Sequence, residues 1–443
     1  MRPTRATGPD IPRGTSPKSP DRIPRMGHTG ASRGSRRSAD ATDMATIRVR
    51  LASAVAALGV LLALWSPPAG AATAPLSPWK DVQPGQRAWY AHSAIDAVAS
   101  TKGWMRDYGT SSFRPAAPES RELFARALVR AFAPTQAPTP GMTFTDVASS
   151  DPFYPYVNVA VSKRWMGAPD GAFSPTDPVD EFTVSKGLVF ALGLGKDVRG
   201  ANGIHLDDGT VLTHPGRFGV YLIGRILSLW YNHDSSVAGD SEAFDILPGQ
   251  PVPRDDVAWA LRRATTLGST AHWYADQYAN IDLGTPSAAV QQAIEFGLKY
   301  VGYPYIYAGE WYRPTGSGYC CGTQLQGGFD CSGFTWWLLR APDAMWNNVA
   351  IRKYKGWILP QRSSYDMAGA ISAAQRVPYG KLRPGDIMLY GSSQAPSTIY
   401  HVDTFIGGGW ALDSGGNGVS IVNVSSGWYR ETFQYGRHLK PAS

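Results

Sequence analysis

Gly328-Phe329-Asp330-Cys331-Ser332-Gly333-Phe334-Thr335-Trp336-Trp337 is the stretch whose reading decides the fold of the C-terminal part of this chain. A Gly-Gly loop runs into an acid, a cysteine, a serine and a glycine, and then into the apolar run Phe334 to Leu339, which suits a buried helix. Cys331 is thereby placed at or just before a helix N-terminus. Unpaired backbone N–H groups and the helix dipole favour a thiolate there, and the thiolate is the attacking species in cysteine chemistry. The same residues also fit a buried structural cysteine in a turn of small residues.

Working outward, 443 residues are too many for one ordinary domain, and a 43% hydrophobic content supplies material for real cores. The net charge of +7 is confined to the head of the chain. Residues 1–50 hold eleven Lys+Arg against four Asp+Glu, and the remainder is balanced at 31 against 31. A neutral body argues against nucleic acid as a partner. Residues 1–43 are rich in Arg, Pro, Ser and Gly without periodicity, which suits disorder or a start codon placed too early, with Met44 as the initiator. Residues 44–71 read as a signal peptide: Arg48 and Arg50 flank the uncharged run Leu51–Trp65, and Pro67-Pro68 precedes Ala69-Gly70-Ala71. The expected mature chain is secreted, begins near Ala72 and has no membrane partner after cleavage. Retention of the run as an anchor is the alternative.

Three cysteines are too few for a disulfide scaffold, and no Cys-x-x-Cys or His-x-x-x-His spacing suggests zinc. Adjacent Cys320 and Cys321 form either a disulfide or two buried thiols, and Cys331 stands alone.

Residues 72–267 contain a degenerate internal repeat. Copy one (about 79–132) runs through Trp79-Lys80-Asp81-Val82, Gly103-Trp104-Met105 and Ser112-Phe113-Arg114-Pro115 to a helix from Ser120. Copy two (144–192) restates this as Phe144-Thr145-Asp146-Val147, Trp165-Met166-Gly167 and Phe173-Ser174-Pro175. Copy three (205–267) is visible in its tail, Pro253-Arg254-Asp255-Asp256-Val257. Each copy is a helix, a turn and a helix, unable to bury its apolar face alone, so the copies must pack on one another. The pattern resembles the S-layer homology module, which attaches exported proteins to cell-wall polysaccharide. The resemblance implies glycan contacts at Arg121 and Arg254, and copy two carries no Arg at that place. A helical spacer that binds nothing is the alternative.

Residues 268–286 read as a linker, and the last unit, 287–443, changes character. A helix over Ala288–Val301 precedes the Cys331 helix, followed by short alternating strands at Asp386–Tyr390, His401–Ile406, Trp410–Asp413 and Val419–Val424. The expected class is therefore multidomain, all-α repeats followed by an α+β domain with an antiparallel sheet.

Five motifs fall in order here: Tyr303-Pro304-Tyr305 to Gly309, Phe329 to Gly333, Leu359-Pro360-Gln361-Arg362-Ser363, Leu382-Arg383-Pro384-Gly385-Asp386, and His401 to Gly407 with Asp413 beyond. This order resembles the NlpC-type cysteine peptidases, a papain-like family that cuts bacterial cell-wall peptides. The resemblance implies Cys331 as nucleophile, His401 as base and then acid, and Asp413 as the group that orients the imidazole, where the family more often has His. It also implies Tyr305 as an oxyanion donor and Asp330 and Ser332 as substrate contacts. Asp403, two residues along a strand from His401 and on the same face, is the alternative orienting acid. The insertion Trp311–Gln326 is longer than the family usually carries, and a loop there would overhang the nucleophile, stiffened by a Cys320–Cys321 disulfide.

The implied function is an exported, wall-associated peptidoglycan hydrolase cleaving stem-peptide amide bonds, typically γ-D-glutamyl to meso-diaminopimelate, with no cofactor. A decayed wall-binding module, or an amidase or acyltransferase on another substrate, are the competing classes.

Overall fold

The repeat read in the sequence has a geometric counterpart. In copy one the Asp81 carboxylate accepts from the backbone N–H groups of Phe113 at 2.9 Å and Arg114 at 2.8 Å. In copy two Asp146 accepts from Phe173 at 2.8 Å and Ser174 at 2.7 Å. The acid closes the same turn twice, and it holds Arg114 (φ 58°) and Ser174 (φ 55°) in a left-handed conformation that side chains otherwise avoid. The computed structural model describes residues 77–109, 111–233, 244–316, 318, 320–339 and 359–439. The basic head and the expected signal peptide lie outside the described residues.

The helical part comprises α1 (His92–Ile95), α2 (Arg121–Phe132), α3 (Tyr154–Ser162), α4 (Glu181–Ala191), α5 (Gly195–Asn202), α6 (Phe218–Ile226), α7 (Arg254–Leu267) and α8 (Thr270–Ala275). Ser120 caps α2 by accepting from Leu123 N, and Asp180 caps α4 from Thr183 N. The three tails meet in a closed ring of backbone hydrogen bonds. Glu119 N–H donates to Val252 O, Val252 N–H to Val179 O, and Val179 N–H to Glu119 O, at 2.8–2.9 Å. Each copy thus supplies one donor and one acceptor to its neighbours, and Phe113, Phe124, Phe173 and Leu261 fill the core around the ring.

The C-terminal part adds α9 (Ala288–Leu298), the pair β1 (Glu310–Trp311) and β2 (Gly328–Phe329), α10 (Cys331–Leu339) and α11 (Ser364–Gly369). It continues with β3 (Arg376–Val377), β4 (Ile387–Gly391), β5 (Ile399–Gly407), β6 (Trp410–Gly415), β7 (Gly418–Asn423), α12 (Gly427–Thr432) and β8 (Phe433–Arg437). The sheet is six-stranded and antiparallel, in the order β3-β8-β4-β5-β6-β7. Strands β4 to β7 are those expected from the alternation. β3 and β8 were not, because two residues and a run interrupted by Gly436 carry too little pattern. One face of the sheet, with Val402, Leu412, Val419 and Ile421, joins the large core that includes Phe334 and Trp337 of α10. The alternate residues point the other way, towards a smaller cluster of Met388, Tyr390, Phe405 and Val422.

The stretch expected as a linker is folded. It contains α8, a 3₁₀ turn at Asp276–Ala279, and the wholly buried Ile281 and Leu283. His205 N–H donates to Ile281 O and Leu283 N–H to His205 O, both at 3.0 Å. On its other side the stretch presses against the β5–β6 turn. A Cβ on Gly407 or Gly408 would stand 1.8 Å from the carbonyl oxygen of Leu283 or Asp282, so only glycine fits. Nearby, the buried Arg225 of α6 donates from Nε to Gly302 O at 2.9 Å. The helical and C-terminal parts form one compact unit. Among the described residues no helix is long and apolar enough to cross a membrane.

Candidate active site

Asp330 makes the first turn of α10. Its carboxylate accepts from Gly333 N at 2.5 Å, and its carbonyl accepts the first helical bond from Phe334 N at 2.9 Å. It is an N-cap, and the helix begins at Cys331, whose backbone N–H belongs to the set of donors a helix start leaves unpaired within itself. Cys331 is a free thiol with 8% of its surface exposed.

The cap is locked by Arg362, a buried residue to which the sequence reading gave no role. Its Nη1 donates to Asp330 at 3.0 Å and to Ser332 Oγ at 2.8 Å, its Nη2 to Gly309 O at 3.0 Å, and its Nε to the buried Glu310 at 2.8 Å. The only signal in the sequence was its place inside the Leu359–Ser363 motif. This network also explains Gly333. A Cβ there would lie 2.0 Å from Gly309 O and 2.6 Å from the Arg362 guanidinium. Asp330 and Ser332, expected as substrate contacts, have their polar atoms engaged in this internal network, with the Ser332 hydroxyl donating to Asp330 at 3.1 Å.

His401 lies near the start of β5, opposite Tyr390. The register slips between Tyr390 and Gly391, leaving Tyr400 as an extra residue that bends the strand just ahead of His401. Its ring is packed among Tyr390, Trp428 and Tyr429, at centroid distances of 5.5, 5.6 and 6.3 Å. Asp403 Oδ1 stands 2.9 Å and Asp413 Oδ1 3.0 Å from His401 Nε2. The β5–β6 register pairs Thr404 with Leu412, and one step further along sets Asp403 against Asp413. Both expected acids therefore reach one ring nitrogen. Both are close N···O approaches that fall short of hydrogen-bond alignment.

The two acids differ in environment. Asp413 is buried, which disfavours its charge, but the His401 imidazolium and the Tyr429 hydroxyl, donating at 2.8 Å, overcome that and hold it ionised. Asp403 is wholly buried beside the Asp413 charge and is pushed up to about 8. Burial works against the charged form of His401, but Asp403, Asp413 and the Cys331 sulfur prevail, and the imidazole is held protonated well above its ordinary range.

Tyr305 reaches the site because residues 304–306 run beside β2, with Ile306 N–H donating to Phe329 O at 3.1 Å. Burial, then the charges of Cys331 and Asp330, suppress ionisation of its phenol, which stays a donor.

The insertion is a pinned hairpin. Thr315 pairs with Gln324, a disulfide joins Cys320 to Cys321, Cys320 N–H donates to Glu310, and Gln326 accepts from Asp245 N of the helical part at 3.0 Å.

The expectation for Arg254 is corrected. Its guanidinium is completely buried, donating to Phe113 O at 2.9 Å and Met105 O at 3.1 Å and pairing with Glu119 at 2.6 Å and Asp107 at 2.9 Å. It has no face to offer a glycan. Arg121 repeats the arrangement, with Nε donating to Phe173 O at 2.7 Å and Nη2 to Gly167 O at 2.6 Å. These arginines tie one copy to the next.

A thiol at a helix start and a carboxylate-backed imidazole on a strand packed against that helix are the parts from which cysteine peptidases are built. Comparison with known proteins narrows the class. Residues 302–437 match the model of the NlpC/P60 family, and this stretch is an NlpC/P60 domain, of a family of cysteine peptidases that act on peptidoglycan. Over 141 residues the chain is 26% identical to the gamma-D-glutamyl-L-lysine dipeptidyl-peptidase of Bacillus subtilis (strain 168), covering 32% of this chain and 37% of that protein. Over 134 residues it is 24% identical to the bifunctional muramidase/DL-endopeptidase CwlT of the same organism, covering 30% and 32%. A solved NlpC/P60 family protein from Bacillus cereus ATCC 10987 aligns over 35% of this chain and 42% of its own, at 25% identity and a TM-score of 0.25. The chain spans 37% of the first of these curated relatives and 32% of the second, and the matches fall on its C-terminal part.

Proposed function

We propose that the chain is an exported, wall-associated hydrolase that cleaves peptidoglycan stem peptides at the γ-D-glutamyl to meso-diaminopimelate bond. The observation that carries this reading is the placing of His401, backed at Nε2 by Asp403 and Asp413, on the strand that packs against the helix opened by Cys331. With Nε2 occupied by the acids, Nδ1 is the nitrogen left to face the thiol.

In this reading Cys331 Sγ attacks the glutamyl carbonyl carbon, and the proton it has given up resides on His401. The carbonyl oxygen becomes an oxyanion, bound by the Cys331 backbone N–H and the Tyr305 hydroxyl. As the C–N bond breaks, His401 passes its proton to the leaving amine and a thioester remains on Cys331. His401, now neutral, takes a proton from water, the hydroxide adds to the thioester, and the acid is released with the sulfur restored. Asp413 stabilises the imidazolium in each half of the cycle. The names of the relatives support a γ-D-glutamyl bond as the point of attack. The helical repeats, of the S-layer homology type in this reading, hold the domain at the wall, through groups other than Arg254.

Digestion of purified peptidoglycan by the full chain, beside a Cys331→Ala control, tests the proposal. New stem-peptide fragments seen by mass spectrometry, absent from the control and ending in γ-D-glutamate, are expected. Cys331-dependent fragments cut elsewhere would reassign the bond. No fragments from correctly folded protein would move the reading to a binding module or to an acyl transfer on another substrate.

A further inference from the structure

Three groups of side chains among the described residues have donor sets suited to a metal ion. His401, Asp403 and Asp413 belong to the site already described, and the sulfurs near Glu310 are joined in the Cys320–Cys321 disulfide. The third group, Asp197, His272 and Asp276, lies in the helical part, outside the matched domain.

Asp197 is on α5, His272 is on α8, and Asp276 opens the 3₁₀ turn that continues α8. His272 and Asp276 are four residues apart on one helical run, where Asp276 keeps right-handed helical backbone and donates its N–H to His272 O. That spacing puts an imidazole and a carboxylate on one face, a common way for a helix to offer two ligands. One donor atom from each of the three residues lies within 4.8 Å of the others. Zinc bonds to imidazole nitrogen and carboxylate oxygen are about 2.0–2.2 Å long, so two donors of one tetrahedral ion are about 3.3–3.6 Å apart. His272 and Asp276 are exposed, so binding would draw their donor atoms inward by up to about an ångström through side-chain torsions.

A second observation points the same way. Asp197 is 2% exposed, and its Oδ1 is buried with no hydrogen-bond partner. Buried carboxylate oxygens are ordinarily satisfied, and an orphan beside an imidazole and another carboxylate has the character of a vacant ligand. The scaffold is rigid as well, for a Cβ on Gly200 of α5 would stand 2.3 Å from Ala279 O, so the helix and the turn are in backbone contact.

We infer that Asp197, His272 and Asp276 bind a divalent transition-metal ion, zinc being the best match to one nitrogen and two oxygens with positions left for water. The ion clamps α5 to the turn that leads into Ile281–Leu283 and so to the β5–β6 turn of the NlpC/P60 domain.

The test is calorimetric titration of ZnCl₂ into the metal-stripped full chain carrying Cys331→Ala, which removes thiolate binding. A single site is expected, with thermal stabilisation by zinc. His272→Ala and Asp276→Asn, both at exposed positions, should each weaken binding about tenfold or more and abolish that stabilisation. His401→Ala should leave the titration unchanged. Absence of zinc binding, or a site that survives His272→Ala and Asp276→Asn or vanishes with His401→Ala, would overturn the assignment.

Discussion

Asp403 and Asp413 face each other across β5 and β6, and both place a carboxylate oxygen within 3.0 Å of the same nitrogen of His401. One imidazole is thus backed by two acids, of which Asp413 also accepts from the Tyr429 hydroxyl at 2.8 Å. The pair is unequal, and the inequality is testable. Asp413→Asn should lower kcat/KM on a stem-peptide substrate by on the order of 10²–10⁴-fold. Asp403→Asn, which imitates the protonated acid, should lower it by about tenfold or less at pH 7. Parallel kinetics on the two variants checks this, and equal losses would refute the unequal roles.

The same inequality has a consequence for stability. Asp403 is pushed up to about 8 by burial and by Asp413, whereas an unfolded aspartate titrates near 3.9. An acid with a raised folded pKa contributes most below its unfolded pKa and loses that contribution as pH rises through the folded value. The window is therefore about pH 4 to 8. Melting temperatures measured across it should show Asp403→Asn gaining on the parent protein as pH rises.

Gly333 and Arg362 form a steric and electrostatic lock on the nucleophile's helix. Gly333→Ala forces a Cβ onto Gly309 O and the guanidinium, and should abolish activity with a drop in melting temperature. Arg362→Lys keeps the charge but loses the fork that reaches Gly309, Asp330, Ser332 and Glu310. A loss of about 3–5 kcal/mol is expected from denaturant unfolding when Arg362→Met removes one partner of this buried set.

Arg254→Met should destabilise the helical part by a similar amount, about 3–5 kcal/mol, since it strands Glu119 and Asp107 in the interior. Urea unfolding followed by Trp fluorescence measures it. Arg121→Ala, at a part-exposed site, should cost less.

The sequence was most legible where chemistry restricts residue choice. Cys331 at a helix start, His401 on a strand and the four strands β4 to β7 follow from motif order and alternation. Asp403 was legible as a rival to Asp413, because residues two apart on a strand share a face. That both reach Nε2 depends on the β5–β6 register, which the sequence leaves open. Arg362 was hidden because its partners Gly309, Glu310, Asp330 and Ser332 come together only in the fold. Arg254 misled for the opposite reason: an arginine opening a helix looks the same whether its head points to solvent or, as here, to Phe113 O. The stretch 268–286 looked like a linker because its buried residues, among them Ala271, Ala275, Tyr278, Ile281 and Leu283, are interspersed with polar ones, and the backbone partner of Ile281 and Leu283, His205, lies far away in sequence.

The contact of Gly407 and Gly408 with the carbonyls of Leu283 and Asp282 bears on reach. A binding module on a flexible tether raises the local concentration of its partner domain over a sphere set by tether length. Here the chain between the modules is itself packed, so there is no such sphere. Under the proposed function, a wall polymer held by the helical part is presented to Cys331 at one distance and one angle. Lengthening this segment with Gly-Ser repeats would therefore alter which bonds of an insoluble polymer lie within range, while hydrolysis of a small soluble peptide should respond only to the loss of packing.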